Sequence, residues 1–194
     1  MSIVLTTPSV HFLLQKFEMI IIIATILLII CAFLLLVILM GVFYAVDFFL
    51  DLPYVATKRN KIETIIKFAK IKEGETVVDL GSGDGRLLFA AAQKGAKAIG
   101  YELNPFLIAL TLIHTKLKGL GNQVWVERQS FWRADLKVAD VIFVYSLKKT
   151  IKKFEDFIYK NARPGTRVVV NLHPFPDKKP TKEESGIYLY KVTN

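Results

Sequence analysis

The residues best suited to chemistry lie in two short apolar runs that each end beside a carboxylate. The first run, Val77–Leu80, contains Asp79, and the second closes at Glu102. Between them lies a turn with the glycines Gly81, Gly83 and Gly85 and the small residue Ser82. Glycines at such a turn let the backbone approach a ligand where a Cβ atom would clash. A carboxylate at the position of Glu102 accepts hydrogen bonds from two ribose hydroxyls. The pattern predicts a nucleoside site.

The spacing of the glycines indicates which nucleoside is bound. A nicotinamide dinucleotide site reads GxGxxG and places a pyrophosphate on a helix N-terminus, whereas this chain reads GxGxG. Asp79 precedes the first glycine by two positions, where it would repel a pyrophosphate but suit the amino group of S-adenosylmethionine. Alternatively, the glycines only turn the chain and bind nothing. That alternative leaves unexplained why Asp79 and Glu102 both lie at the ends of apolar strands.

Strands and helices alternate around this turn and predict an α/β fold with a doubly wound, mostly parallel sheet. Strands are predicted at 76–80, 96–102, 124–128, 140–145, 167–172 and 186–192, and helices at 58–70, 86–93, 105–118 and 148–159. Three prolines, Pro174, Pro176 and Pro180, occupy the region where a last crossover helix would lie. We therefore expect about six strands rather than seven, with the last one free to run antiparallel.

The predicted strands bring polar residues to one edge of the sheet. Parallel α/β sheets bind ligands at the C-terminal ends of their strands. The residues that fall at or just after such ends are Asp79, Glu102, Ser130, Tyr145 and His173. Asn104 and Pro105 predict the start of the helix at 105–118, as N-cap and first helical residue. Its buried stripe is predicted at Phe106, Leu110, Ile113 and Leu117, and Thr57 is predicted to cap the helix at 58–70.

The segment 19–46 is 28 residues without a charge, which as a helix would be about 42 Å long against a hydrocarbon core of about 30 Å. It predicts a retained transmembrane helix rather than a secretory signal, since no basic region precedes it. Basic residues after it, from Lys58 onward, predict that the C-terminal side is cytoplasmic in a single-pass membrane protein. The domains are then an N-terminal segment 1–18, the span 19–46, a linker 47–57 and a catalytic domain 58–194.

Net charge constrains the partners. The whole chain carries +9, and residues 1–55 carry one basic and three acidic groups, so residues 56–194 carry +11. A basic domain beside a membrane favours attraction to the lipid bilayer, and an acidic or nucleic-acid substrate is the alternative. The single cysteine, Cys31, excludes an internal disulfide, and three histidines far apart in sequence do not suggest a metal.

Five segments read in order resemble a known family. They are DLPYVAT, VVDLGSGDGR, GYELNP, SFW and HPFP. The chain resembles the membrane-anchored protein lysine N-methyltransferases of mitochondria, which methylate the c-ring protein of ATP synthase and the ADP/ATP translocase, and their prokaryotic relatives. The resemblance covers roughly 52–193. It implies a Rossmann-like S-adenosylmethionine-dependent methyltransferase fold and a lysine side chain of a membrane or membrane-adjacent protein as substrate.

The resemblance also implies roles for individual residues. Cofactor contacts are implied for Asp79, Gly81, Ser82, Gly83, Gly85, Glu102, Leu103, Asn104, Ser130 and Phe131. Residues near the target amine are implied to be Pro53, Tyr54, Val55, Thr57 and His173. The family places an aspartate before its aromatic pair, whereas this chain has Ser130 before Phe131 and Trp132. If that aspartate holds the adenine amino group, Ser130 is expected to hold it more weakly. If the aspartate instead contacts the substrate, a different target is expected.

Methyl transfer from a sulfonium is an in-line displacement in which the protein mostly positions the partners. A lysine acceptor must also lose its proton, which costs about 4.6 kcal/mol at pH 7. Tyr145 and Trp132 are our candidates for shaping the path of the amine, and ordinary packing is their alternative role. Three other functions stay open: a lipid or quinone methyltransferase, a nucleic-acid methyltransferase and a non-catalytic module that binds S-adenosylmethionine.

Overall fold

A computed structural model describes residues 8–49, 55–145 and 147–193. The chain forms two compact units, residues 1–49 and 50–194. The predicted substrate residues Pro53 and Tyr54 lie outside the described residues.

The first unit is one long helix, α1 (Pro8–Phe49), of 42 residues. Within it, His11–Ala45 is long and apolar enough to cross a membrane, and none of its most apolar window is buried. A signal sequence can have the same length and apolar composition. The helix begins well before the predicted span 19–46, because nothing in 8–18 breaks it and proline is tolerated in a first turn.

The second unit is built on a sheet whose strand order is β3-β2-β1-β4-β5-β7-β6. The strands are β1 (Thr76–Leu80), β2 (Lys97–Glu102), β3 (Val124–Arg128), β4 (Val141–Tyr145), β5 (Arg167–Asn171), β6 (Lys182–Glu184) and β7 (Ile187–Lys191). The first five are parallel, and β7 pairs antiparallel with both β5 and β6. The order reverses at β1, so the loop after β1 lies at the topological switch point where such sheets bind ligands.

Four helices accompany the sheet: α2 (Arg59–Ala69), α3 (Arg86–Ala92), α4 (Pro105–Leu117) and α5 (Ile151–Asn161). Two apolar clusters form the core. One packs α5 against Val78, Leu80 and their neighbours, and the other packs α2 and α3 against Val77 and Phe143. Because side chains alternate across a strand, successive residues of β1 serve opposite clusters. This parity places Asp79 on the α2–α3 face.

The predicted fold class is confirmed, but the strand count was too low. The additional strand, β6, has the sequence Lys-Glu-Glu, and all three residues are exposed. A strand without buried residues has no alternation of apolar and polar positions, so its sequence carries no strand signal.

The predicted buried stripe of α4 was wrong. Phe106, Leu110, Ile113 and Leu117 are 36%, 38%, 56% and 77% exposed. The buried face instead carries Leu107, Thr111 and Thr115. Apolar residues lie all around this helix, so their spacing does not tell which face is inside.

The helix starts were predicted unevenly. Asn104 Oδ1 accepts a hydrogen bond from Phe106 N at 2.9 Å with Pro105 first in the helix, as predicted. Thr57, by contrast, does not cap α2, whose N-cap is Lys58 without a side-chain cap. The side chain of Thr57 is buried, which removes it from the helix end.

Candidate active site

The glycine turn is fixed to the end of β2 by its backbone. The N–H groups of Gly81 and Ser82 both donate to the carbonyl of Tyr101, at 3.0 and 3.1 Å. Gly81 has φ +94°, in the region that only glycine adopts without strain, and a Cβ there would meet no atom within 4 Å. The turn therefore presents bare backbone to open space, as a ligand cradle requires.

Gly85 has a different role from Gly81. A Cβ at Gly85 would lie 2.5 Å from Thr111 Cγ2, and Thr111 Oγ1 donates to the carbonyl of Gly83 at 3.1 Å. Gly85 thus allows α4 to pack closely against the turn. The spacing of glycines does not separate this packing role from contact with a ligand, and Thr111 carried no signal in the sequence.

Glu102 joins the two halves of the cradle, which are the glycine turn at 81–85 and the residues that follow β2 at 103–104. Its Oε2 atom accepts from Gly83 N at 2.9 Å, and its Oε1 atom accepts from Leu103 N and Asn104 N, both at 2.8 Å. Three N–H donors leave a carboxylate, which has about four lone-pair sites, with room for one further strong hydrogen bond. The side chain is oriented before any ligand arrives.

Asp79 is a buried carboxylate at this edge of the sheet, and its charge is not balanced by a hydrogen-bond donor from the described residues. It is 4% exposed, and no donor among the described residues hydrogen-bonds its carboxylate. Burial raises the pKa of Asp79 well above its ordinary value, and the charges of Glu102 and Asp84 raise it further. A buried carboxylate without a donor fits a cationic ligand group, which would supply the missing charge.

Arg86 connects the turn to the segment before α2. Its Nε atom donates to Asp84 Oδ1 at 2.8 Å, and its Nη1 atom donates to the carbonyl of Thr57 at 2.7 Å. The described end of the predicted substrate segment therefore lies at the glycine turn, with Val55 46% exposed. The arginine closes the run VVDLGSGDGR, yet its bridging role depends on a contact that sequence alone does not show.

Ser130, Phe131 and Trp132 follow β3. The ring of Trp132 lies 4.8 Å from that of Phe154 and 5.5 Å from that of Phe157, both on α5. Phe131 is buried in the α5 cluster, and Ser130 is half-buried before the short turn of 3-10 helix at Phe131–Arg133. Trp132 thus packs on α5, on the opposite face from Asp79. Its proposed role beside the amine stays a prediction.

Tyr145 ends β4 and pairs in register with Asn171, the last residue of β5. Asp79 pairs with Phe143. By strand alternation Asp79, Tyr145 and Asn171 therefore share the α2–α3 face of the sheet at its C-terminal edge. Tyr145 and Asp79 were predicted at this edge, whereas Asn171 was missed because its strand was predicted to extend to Leu172.

Asn171 already binds a lysine ammonium group. It is 4% exposed, and its Oδ1 atom accepts from Lys61 Nζ on α2 at 3.1 Å. The next residue, Leu172, has φ +95°, which is strained for a residue with a side chain. His173 is half-buried beyond it. The strained residue Leu172 therefore lies between two polar residues, Asn171 and His173, at this edge of the sheet.

The sheet order, the glycine turn at the switch point and the buried carboxylate define the class of protein. This is the Rossmann-like fold of the S-adenosylmethionine-dependent methyltransferases. An RNA methyltransferase from Salinibacter ruber, solved with S-adenosyl-L-homocysteine, superposes with a TM-score of 0.68 at 26% identity, covering 72% of this chain and 94% of that one.

Residues 79–182 match the family described as the ANTKMT methyltransferase domain, and the chain belongs to that family. The adenine nucleotide translocase lysine N-methyltransferase of Mus musculus is 33% identical over 132 residues, which are 68% of this chain and 57% of that protein. A protein-lysine N-methyltransferase of Saccharolobus islandicus (strain REY15A) is 28% identical over 151 residues, 73% of this chain and 94% of that protein. The predicted family is confirmed.

The chain spans little more than half the length of the first curated relatives it matches. The shares are 57% for the mouse protein and 55% for a human lysine N-methyltransferase of ATP synthase, which is 29% identical.

Proposed function

We propose that this chain is a membrane-anchored, S-adenosylmethionine-dependent methyltransferase that methylates a lysine side chain of a membrane or membrane-adjacent protein. The observation that carries the proposal is the Asp79 carboxylate, buried and without a hydrogen-bond donor among the described residues, beside the bare backbone of Gly81. Family membership supports the same activity, since the named relatives are protein-lysine N-methyltransferases.

The residues of the cradle fit S-adenosylmethionine, which supplies an activated methyl group on a sulfonium. Asp79 would pair with the amino group of the cofactor, and Glu102 would use its remaining acceptor capacity for the ribose. Gly81 and Gly83 would let the backbone approach the methionine portion. Ser82, Leu103, Asn104, Ser130 and Phe131 are proposed to complete the cofactor contacts.

The acceptor lysine is proposed to enter beside Tyr145 and Asn171. The contact between Lys61 Nζ and Asn171 Oδ1 supports this, because it shows that the Oδ1 atom of Asn171 can accept a hydrogen bond from a lysine ammonium group at the edge of the site. A lysine must lose its proton before transfer, and the buried amide of Asn171 and the half-buried phenol of Tyr145 would desolvate the amine while still accepting its hydrogen bonds. Val55, Thr57 and His173, with Pro53 and Tyr54, stay proposed as residues near the amine.

The membrane anchor is proposed to be α1, with the catalytic domain on the cytoplasmic side. The length and apolar composition of α1 support its role as the anchor. The basic residues that follow it support the cytoplasmic orientation of the catalytic domain. Protease added outside sealed vesicles tests the topology, because it digests only a domain on their outer face. The catalytic domain should be digested in inverted vesicles, whose cytoplasmic face is outward, and protected in right-side-out vesicles. The reverse result would contradict the proposed orientation.

The activity is tested by incubating membranes with the purified chain and radiolabelled S-adenosylmethionine. Label in a protein band that survives lipid extraction and nuclease, and that mass spectrometry assigns to lysine, supports the proposal. Label only in the organic phase would indicate a lipid or quinone acceptor, and label lost to nuclease a nucleic acid. Cofactor binding without any transfer would indicate a non-catalytic module. Asp79→Ala should abolish transfer, whereas Glu127→Ala, an exposed carboxylate on β3, should not.

A further inference from the structure

The exposed face of α4 is apolar along its whole length. Phe106, Leu110, Ile113 and Leu117 repeat at helical spacing, and Leu112 is 52% exposed beside them. Among the exposed residues of this helix only Lys116 is charged. Single exposed apolar residues are ordinary on a protein surface, but a continuous stripe over three turns marks an interaction surface.

Basic side chains lie beside this stripe. A groove of about 1220 Å³ between α2, α3 and the C-terminal half of α4 is lined by more basic than acidic groups. Its basic residues include Arg59, Lys67, Lys70, Lys94 and Lys118, and its acidic residues are Glu63 and Asp84. An apolar helix face next to a basic surface is the arrangement by which helices lie in the interface of anionic membranes.

Chain connectivity keeps a bilayer within reach. Nine residues, 50–58, connect the end of α1 to the start of α2, and an extended chain covers at most about 3.6 Å per residue. The connecting residues alone thus bridge at most about 35 Å, which keeps a bilayer at the C-terminal end of α1 within reach of the domain that follows. The first residue of α2, Arg59, lines the basic groove.

We propose that the apolar face of α4 inserts into the headgroup region of an anionic bilayer, with the basic groove against the lipid phosphates. The apolar residues that would insert, Phe106, Leu110, Ile113 and Leu117, are not among the proposed cofactor contacts, although the groove shares Asp84 and Arg86 with the glycine turn. The proposal rests on the proposed membrane anchoring by α1. Docking through α4 would fix the orientation of the active-site edge relative to the membrane, which a covalent connection to α1 alone does not do.

The test uses the full chain in nanodiscs that contain anionic lipid. An environment-sensitive fluorophore is attached at Ile113→Cys in a Cys31→Ser background, and brominated lipids serve as quenchers. Val138→Cys, a similarly exposed apolar position at 43% on a different element, is the matched control. Labelling the native Cys31 in the unchanged chain reports separately whether α1 is in the bilayer, and retained cofactor binding shows that each variant is folded.

We expect the fluorophore at position 113 to shift its emission to the blue and to be quenched by brominated lipid, while the one at position 138 is not. Replacing the anionic lipid by zwitterionic lipid should weaken that quenching. If Cys31 is quenched but position 113 is not, the docking proposal is wrong while the anchor stands. A blue shift without lipid quenching that depends on protein concentration would assign the face to a second copy, and one that requires an added membrane protein would assign it to that partner. Both outcomes overturn the proposal.

Discussion

At the scale of single residues, Asp79 combines a proposed binding role with a cost to stability. Its pKa is raised above the value in the unfolded chain, mainly by burial, so the ionised carboxylate destabilises the folded protein. The contribution of Asp79 to stability is therefore best at low pH and is lost as the pH rises through the raised pKa. A cofactor ammonium group would reverse this cost on binding.

We predict that Asp79→Asn stabilises the cofactor-free protein but weakens binding. Removing the buried charge should raise the free energy of unfolding at neutral pH by roughly 0.5–2 kcal/mol. Losing the charged hydrogen bond should weaken S-adenosylmethionine binding by about 10- to 100-fold. Thermal unfolding and calorimetry of the full chain measure the two effects. Glu127→Gln should change neither, and a destabilised Asp79→Asn that binds normally would refute the assignment.

Cofactor affinity should also depend on pH. If the cofactor pairs with the ionised carboxylate as proposed, affinity should rise as the pH increases through the raised pKa of Asp79 and fall as the pH drops below it. Below about pH 7 the α-amino group of the ligand stays largely protonated, so it does not account for the change. Calorimetry in buffers of different ionisation enthalpy should detect proton release at the acid end. A flat affinity profile in the unchanged chain, or a pH dependence that persists in Asp79→Asn, would contradict this role.

Asn171 is predicted to position the acceptor lysine. Asn171→Leu keeps the approximate volume but removes the acceptor, so turnover should fall by about 10- to 100-fold, since small misplacements at a reacting centre have effects of this size. Cofactor affinity should stay unchanged, and Asn171→Asp, which still accepts a hydrogen bond, should recover part of the rate. Lys61→Met should leave turnover unchanged if Lys61 only fills the position that the substrate lysine takes during the reaction. Equal losses of cofactor binding and turnover in Asn171→Leu would indicate a purely structural residue.

At the scale of elements, the packing of α4 against the glycine turn can be measured with two matched glycines. Gly74 and Gly85 both have φ +79°, but a Cβ meets nothing at Gly74 and lies 2.5 Å from Thr111 at Gly85. Gly74→Ala should cost about 1–2 kcal/mol of backbone strain. Gly85→Ala should cost a further 1–3 kcal/mol, roughly, from the clash. Chemical denaturation checks the difference, and equal costs would show that α4 moves aside freely.

Helices and strands could be predicted from the sequence where burial produces a pattern of apolar and polar residues. The polar residues Asp79 and Glu102 stood out because each interrupts or ends an apolar run, and β1 and β3 have the predicted bounds. The inward face of α4 was not predictable because apolar residues surround it, and β6 was not because it buries nothing. The contact of Lys61 with Asn171 joins residues 110 positions apart, and no local pattern encodes such a pairing.

At the scale of the whole molecule, the two units are predicted to be separable. Removing residues 1–49 should leave cofactor affinity and the thermal unfolding of residues 50–194 unchanged, because the latter form a compact unit with its own core. Methylation of a membrane-embedded lysine should fall on the order of 100-fold, because the tether no longer raises the local concentration. Activity on membranes that survives the truncation in full would show that the anchor is dispensable for turnover.

The edge strand β6 affects how readily copies of this chain associate through their sheets. Edge strands expose unpaired backbone groups that invite neighbouring chains to add on, and short, charged edges resist such growth. With β6 only three residues long and composed of Lys182, Glu183 and Glu184, that border of the sheet offers little template for polymerisation. If α1 anchors the chain as proposed, copies confined to the plane of a membrane could therefore accumulate at high density without their sheets fusing into fibrils.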